Sequence, residues 1–365
     1  MQISSVPLDL TASSIDLTRQ LCDIESVSGG EGTLADAMEA ALTGLPHLEV
    51  IRDGDAIVAR TNLGRGRRAL IAGHIDTVPL NNNLPTRFEE HDGIRYLWGR
   101  GTVDMKAGVA VQLKLAAELT DPSVDVTWMW YDHEEVNAEL NGLGRLARNR
   151  PDLFVGDFGI LGEPSNGVVE GGCNGNLRVE VRAYGLRAHS ARGWVGDNAI
   201  HKIAPVLDLL AGYTAREVEV DGLTYREGLN AVGVSGGVAG NIIPDEAMVH
   251  VNYRFAPSRS SEEAIAYMHQ LFDGYEITVV DRADGARPGL DAPLAQEFVA
   301  AVGGVAKPKY GWTDVARFSA LGIPAVNYGP GDPLKAHADD ERVDVEQIVS
   351  VEAGLRAWLN GPGAR

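Results

Sequence analysis

Glu134 and Glu135 stand side by side in Tyr131-Asp132-His133-Glu134-Glu135, directly after the apolar run Val124 to Trp130. Two carboxylates at the mouth of a buried strand are costly to leave unpaired, so they demand a cationic partner. Taken alone the pair reads as a solvated loop, because most adjacent acids lie on the surface. Other residues change that reading. Ala69-Leu70-Ile71-Ala72-Gly73-His74-Ile75-Asp76 is a short apolar strand ending in His-x-Asp. Residues two apart on a strand end face the same side, so the imidazole can ligate a metal while the carboxylate orients it. By itself a His-x-Asp is more often structural. The stretch Gly99 to Gly108 then sets one acid, Asp104, between glycine-rich turn chemistry and a helix start. A plain helix N-cap is the competing reading of Asp104. Glu163 in Leu161-Gly162-Glu163-Pro164 and His337 in Lys335-Ala336-His337-Ala338-Asp339 complete a set in which every member sits at a strand end or in a loop.

The elements needed to position these groups are legible as patterns. Leu34, Met38, Ala41 and Leu45 fall at helical spacing, followed by short β-like runs at Leu48 to Ile51, Ala56 to Thr61 and Ala69 to Ala72. A helix is predicted from Lys106 to Leu119, a fully buried strand from Val124 to Tyr131, a helix from Leu140 to Asn149 and a strand from Phe158 to Leu161. Alternating strand and helix predict an α/β sheet covered on both faces. Near Gly171 the character changes. Alternating strands Leu177 to Val181 and Met248 to Tyr253 flank an amphipathic helix carrying Ile200, Ile203, Leu207 and Leu210. A helix around Ala264 to Leu271 and a strand Ile277 to Val280 complete a β-α-β-β-α-β unit, read as a separate small domain. Asp284 to Gly289 has linker composition, and helix and strand signals resume at Ala295 to Val302, Ala325 to Tyr328 and Val345 to Leu359.

The totals bound the possibilities. A chain of 365 residues, 44% hydrophobic and 23% charged, has room for two domains and the composition of a soluble globular enzyme. Its formal net charge of -19 argues against nucleic acid and against anionic membrane surfaces. An anionic substrate would have to be captured by a few local cations against that field. Met1 to Leu10 lacks the basic start and apolar stretch of a secretory signal, and no segment approaches about eighteen apolar residues, so a cytoplasmic location is expected. Cys22 and Cys173 lie far apart, outside any Cys-x-x-Cys pattern, and are expected as reduced thiols.

In order along essentially the whole chain, His74-x-Asp76, Gly101-x-x-Asp104-Met105-Lys106-x-Gly108, Glu134-Glu135, Glu163-Pro164 and His337 resemble the family of dinuclear zinc amidohydrolases that includes acetylornithine deacetylase and glutamate carboxypeptidase. Gly172 to Leu177 and Gly311 to Phe318 are most similar to its succinyl-diaminopimelate desuccinylase branch of the actinobacterial type. The resemblance implies that one metal takes His74 and Glu163, the other Glu135 and His337, and that Asp104 bridges them. Nitrogen and oxygen donors without thiolate suit two divalent ions, zinc first, with cobalt or manganese as alternatives. Two such ions lower the pKa of a shared water and polarise an amide carbonyl. Glu134 would then be the general base, and Asp76 would fix the tautomer of His74 by accepting from its other ring nitrogen.

Because His337 has to meet residues from the first half of the chain, the small domain is expected to be an insertion. The expected fold is α/β: a metallopeptidase-type catalytic domain, residues 1–175 and 290–365, with a mixed sheet covered by helices. Residues 176–289 would form an inserted ferredoxin-like α+β dimerisation domain. In Gly185 to Ser190 the resemblance implies that His189 reaches the neighbouring subunit's site and helps to stabilise the oxyanion, which makes a homodimer the expected assembly. Asn241 and Arg254 match positions that hold a substrate carboxylate, and Thr313 is expected to add a hydroxyl contact. Some relatives carry arginine near Gly172-Cys173-Asn174, which this chain does not, so the group at the far end of the substrate, with Arg178 and Arg317 as candidates, stays open. The implied reaction is hydrolysis of a small anionic acylated amino acid, N-succinyl-L,L-diaminopimelate first. Acetylornithine or an acylated C-terminal glutamate is the alternative substrate, and a catalytically dead metal-binding relative is the non-enzymatic one.

Overall fold

The computed structural model describes residues 7–361; Met1 to Val6 of the N-terminal stretch read above lie outside the described residues. The chain divides into two units: one runs up to Gly171, takes in Pro288–Lys307 and resumes at Thr313, while the other comprises Gly172–Arg287 and Pro308–Trp312.

The first unit is built on a sheet whose neighbouring strands are, in order, Glu49–Asp53, Ala56–Arg60, Asp125–Tyr131, Arg68–His74, Phe158–Leu161, Ala325–Asn327, Val169–Gly171 and Ala306–Pro308. Asp125–Tyr131, Arg68–His74, Phe158–Leu161 and Ala325–Asn327 pair in parallel, and the flanking pairs are antiparallel where their register is defined. Parallel strands covered on both faces read as continuous apolar runs, and every residue of Asp125–Tyr131 is buried. The helix Lys106–Glu118 is buried along Lys106 to Ala116, which explains its weak amphipathic signal: it packs on the strand Arg68–His74 and beneath the helices Ser14–Asp23 and Val345–Asn360. Phe298 meets Tyr328 and Trp358 edge to face, each at a centroid distance of 5.2 Å.

A smaller sheet of Arg342–Asp344, Ile94–Trp98 and Arg87–His91 went unread in the sequence. Its hairpin is rich in charge and largely exposed, so neither strand shows a buried face. It nonetheless matters, because Ile94–Trp98 delivers the chain directly into the Gly99 to Asp104 loop.

In the second unit, the strands Gly228–Gly236, Glu246–Phe255, Gly175–Tyr184 and Glu276–Ala283 form an antiparallel sheet in that order, accompanied by the helices Ala199–Ala211 and Ser261–Leu271. Strand, helix, strand, strand, helix, strand in chain order gives the ferredoxin-like arrangement. Leu177, Val179, Val181, Val249, Val251 and Tyr253 alternate inward onto Ile203, Val206 and Met268 of the helices. Ser260 and Glu263 close a capping box on the second helix. Gly228–Gly236, missed in the sequence, is an edge strand with few buried side chains, so its inward and outward faces do not differ in polarity.

Both cysteines are buried and free. Burial pushes the Cys22 thiol up to about 12. Among the described residues no helix is long and apolar enough to cross a membrane.

Candidate metal centre

Parallel strands direct their carboxyl ends to one edge of the sheet, where α/β folds bind ligands. His74 ends its strand in register with Tyr131, three residues before Glu134, and Ala72 pairs with Leu161, two residues before Glu163. The sheet alone therefore converges His74, Glu134, Glu135 and Glu163. Asp104 arrives from the loop before the helix Lys106–Glu118, and His337 from the loop before Arg342–Asp344. That helix can come close because Gly108 has no side chain: a Cβ there would lie 2.2 Å from the Gly162 carbonyl oxygen.

Three sets of side chains bring donor atoms within 4.8 Å of one another: His74, Asp104 and Glu163; Asp104, Glu135 and His337; and His74, Glu134 and Glu135. Asp104 belongs to the first two sets. Its Oδ1 lies 3.0 Å from His74 Nε2 and its Oδ2 lies 3.4 Å from His337 Nε2, so one carboxylate faces both imidazoles through different oxygens. His337 Nε2 also sits 3.0 Å from Glu135 Oε1. Glu134 belongs to neither of the sets that share Asp104.

The electrostatics describe a site rich in negative charge. Burial and the neighbouring charges of Asp314, Glu163 and Glu135 hold the Glu134 carboxyl well above its usual range, although His74 opposes them. Burial works against the His74 cation, but hydrogen bonds to Asp104 and Asp76 outweigh it and raise the imidazole well above its ordinary value. Hydrogen bonds to Asp104 and Glu135 lift His337 to about 10. Against burial, those two histidines hold Asp104 well below the usual carboxylate range. Imidazole nitrogens and carboxylate oxygens crowded this closely fit divalent cations of the zinc type, which take N and O donors and neutralise the acids. No cysteine enters the three sets.

Asp76 faces His74 through two different oxygens. His74 Nδ1 is closer to the Asp76 backbone carbonyl, at 3.0 Å, than to its carboxylate oxygen, at 3.5 Å. The carboxylate also accepts the backbone N–H groups of Glu134 at 3.0 Å and Glu135 at 3.1 Å, and the Ser28 hydroxyl at 2.6 Å. Against burial, these bonds and His74 lower Asp76 to about 2. The buried Thr313 hydroxyl donates to Asn327 Oδ1 at 2.9 Å.

His189 and Asn241 are neighbours within the second unit. His189 pairs across strands with Ile242, and Ser190 N–H donates to the Asn241 carbonyl at 2.9 Å. His189 Nδ1 accepts the Ala191 N–H at 3.1 Å, so the neutral ring carries its proton on Nε2. Arg254 lies near the end of its strand, where its Nε donates to Asn252 Oδ1 at 3.3 Å. It lines a cleft of about 350 Å³ with Asn174, Arg226, Asn230 and Tyr310. Arg178 is paired with Asp281 at 2.9 Å, and Arg317 with Asp314.

Sequence reasoning missed the residues that brace the ligand loops. Besides Ser28, buried Glu31 accepts the His133 N–H at 3.1 Å, and the Ser26 hydroxyl donates to the Ile75 carbonyl at 2.6 Å. All three come from Ser26-Val27-Ser28-Gly29-Gly30-Glu31, whose only signal was two hydroxyls and an acid flanking a glycine turn.

A protein of Mycobacterium tuberculosis assigned as a succinyl-diaminopimelate desuccinylase is 54% identical over 357 residues, covering 97% of this chain and 100% of the relative. The succinyl-diaminopimelate desuccinylase of Corynebacterium glutamicum is 50% identical over 364 residues, 97% of this chain and 98% of its own. Among solved structures, a tripeptidase of Staphylococcus aureus superposes with a TM-score of 0.79 at 20% identity, over 97% of this chain and 98% of that one, and so shares the fold. The family described as peptidase family M20/M25/M40 matches residues 70–360, and the chain belongs to that family.

Proposed function

We propose that the chain is a two-metal amide hydrolase that converts N-succinyl-L,L-diaminopimelate and water to succinate and L,L-diaminopimelate. The observation that carries the chemistry is the shared Asp104 carboxylate facing His74 and His337, with Glu134 outside both sets it joins. The choice of substrate is supported by the names of relatives at 54% and 50% identity over nearly the whole chain.

His74 and Glu163 would hold one divalent ion, Glu135 and His337 the other, with Asp104 shared; zinc is the proposed metal. When bound, such ions activate water and polarise the amide carbonyl. Glu134 takes a proton from the attacking water and returns it to the leaving amine as the carbon–nitrogen bond breaks. Asp76 fixes the Glu134-Glu135 turn through both backbone N–H groups, and thereby the direction of each side chain.

The second unit supplies the recognition groups in this reading. Arg254 offers a guanidinium whose paired donors match a carboxylate, answering the need for a local cation in a chain of net charge -19. Asn241 assists it, and His189 of a second copy donates from Nε2 to the developing oxyanion. The edge strand Gly228–Gly236 supports self-association, since it leaves Val232 62% and Val234 64% exposed beside unpaired backbone. The enzyme is placed in the cytoplasm, where an intermediate of amino-acid synthesis would be consumed.

The deciding experiment compares kcat/KM of the zinc-supplemented protein on N-succinyl-L,L-diaminopimelate, N-acetylornithine and an acylated C-terminal glutamate. A preference of at least about tenfold for the first, roughly 1.4 kcal/mol in the transition state, is expected. Preference for either of the others would transfer the same site to that substrate. Inactivity on all three, with metal bound, would leave a non-enzymatic relative.

A further inference from the structure

Asp76 has a counterpart on the other side of the metal centre. Glu341 is 1% exposed, and its Oε1 accepts the backbone N–H groups of Val103 at 2.9 Å and Asp104 at 3.1 Å. Its Oε2 accepts from Arg100 Nη1 at 2.8 Å, and its carbonyl accepts the Gly99 N–H at 3.0 Å. Arg100 is itself 4% exposed, and its Nη2 points to the His337 carbonyl at 3.5 Å. One buried ion pair therefore touches the backbone that leads into the shared carboxylate and the residue that carries the exposed imidazole.

We propose that Arg100 and Glu341 are a positioning pair that sets Asp104 against His337 and so fixes the affinity of the metal position formed by Asp104, Glu135 and His337. The inference rests on the two-metal reading above. A buried ion pair is a poor device for stability alone, because desolvating both charges offsets most of their attraction. Here the carboxylate spends one oxygen on two consecutive N–H groups that lead into a metal ligand and the other on the guanidinium. That arrangement holds a loop in one geometry, which is what outer-shell partners do for metal ligands. Lys106 secures the other end of the loop: its ammonium donates to the Leu21 and Ile24 carbonyls at 3.1 and 3.0 Å. The loop is thereby tied at both ends, and only the Glu341 end also reaches His337.

The test is zinc titration into the metal-free full-length protein by calorimetry, with bound zinc counted by mass spectrometry after dialysis against graded chelator. Glu341→Gln keeps the size of the side chain but loses its charge, and Arg100→Lys keeps the charge but loses the planar fork. The parent should hold two zinc ions. In Glu341→Gln one of them should bind about 10- to 100-fold more weakly while the other is unchanged, and excess zinc should restore kcat. Arg100→Lys should weaken the same ion by a smaller factor, and it decides the matter if Glu341→Gln does not fold. Retention of both ions at parental affinity with only a lower Tm would make the pair merely structural and overturn the proposal, as would equal loss of both ions. A parent that binds no zinc would overturn the two-metal reading itself, an outcome separate from either of these.

Discussion

The Asp76 carboxylate accepts the backbone N–H of Glu134 at 3.0 Å through one oxygen and that of Glu135 at 3.1 Å through the other. Neighbours in sequence are thus held by a single buried acid, so that one side chain joins His337 and Asp104 while the other does not. Asp76→Asn keeps the shape but replaces one acceptor with an NH2 group facing an N–H. Hydrogen bonds to a charged acceptor are worth about 1.5–3 kcal/mol each, so a stability loss of about 2 kcal/mol is expected in urea unfolding. kcat should fall about 10- to 100-fold even at saturating zinc. An unchanged kcat would show that the turn holds without the carboxylate.

Gly108→Ala tests the close approach of the helix Lys106–Glu118 to the Gly162-Glu163 turn. Alanine inside a helix normally stabilises it by about 1 kcal/mol relative to glycine. Here the added Cβ would lie 2.2 Å from the Gly162 carbonyl oxygen, so the sign should reverse, with a loss of about 1–3 kcal/mol and weakened zinc binding through Glu163. Thermal unfolding with and without zinc measures both, and a raised Tm would contradict the packing.

The metal-free protein should lose stability as pH rises. His337 is held at about 10 in the folded chain against an ordinary 6.5. Its contribution is therefore fully present below about pH 6.5 and is lost progressively as pH climbs towards 10, when the neutral imidazole no longer offsets Asp104 and Glu135. Tm of the chelator-treated protein should fall across that window, while the zinc-loaded protein, whose ligands are already deprotonated, should change less. A metal-free Tm that stays level or rises from pH 6.5 to 10 would contradict the proposed charge balance.

Self-association through the second unit is tested at its exposed edge. Val234→Lys places a charge on the strand Gly228–Gly236, where Val234 is 64% exposed, and should shift sedimentation from dimer to monomer with little change in Tm. If His189 serves a second copy, activity should fall with the dimer fraction. A fully active monomer at assay concentration would remove that role.

The sequence announced the deep elements and the ligands more clearly than the supports. Asp125–Tyr131 and Phe158–Leu161 were readable because strands buried on both faces leave unbroken apolar runs, and their ends pointed to Glu134, Glu135 and Glu163. Arg87–His91 and Gly228–Gly236 were not, because an exposed strand carries no polarity contrast between its faces. The bonds that Asp76 accepts from the Glu134-Glu135 backbone were hidden for a different reason: they depend on the path of Glu134 and Glu135 beside it, and residue spacing does not encode that path. Glu341 was invisible for the same reason, since its partners at Val103, Asp104 and Arg100 lie more than two hundred positions away in sequence.

The central claim is that Glu134 moves the proton while its neighbour holds the metal. Glu134→Ala, assayed for kcat on N-succinyl-L,L-diaminopimelate alongside zinc content, tests it most directly. The account predicts a fall of about 10²- to 10⁴-fold in kcat with both zinc ions retained. Most of the parental kcat remaining at unchanged zinc content would contradict it.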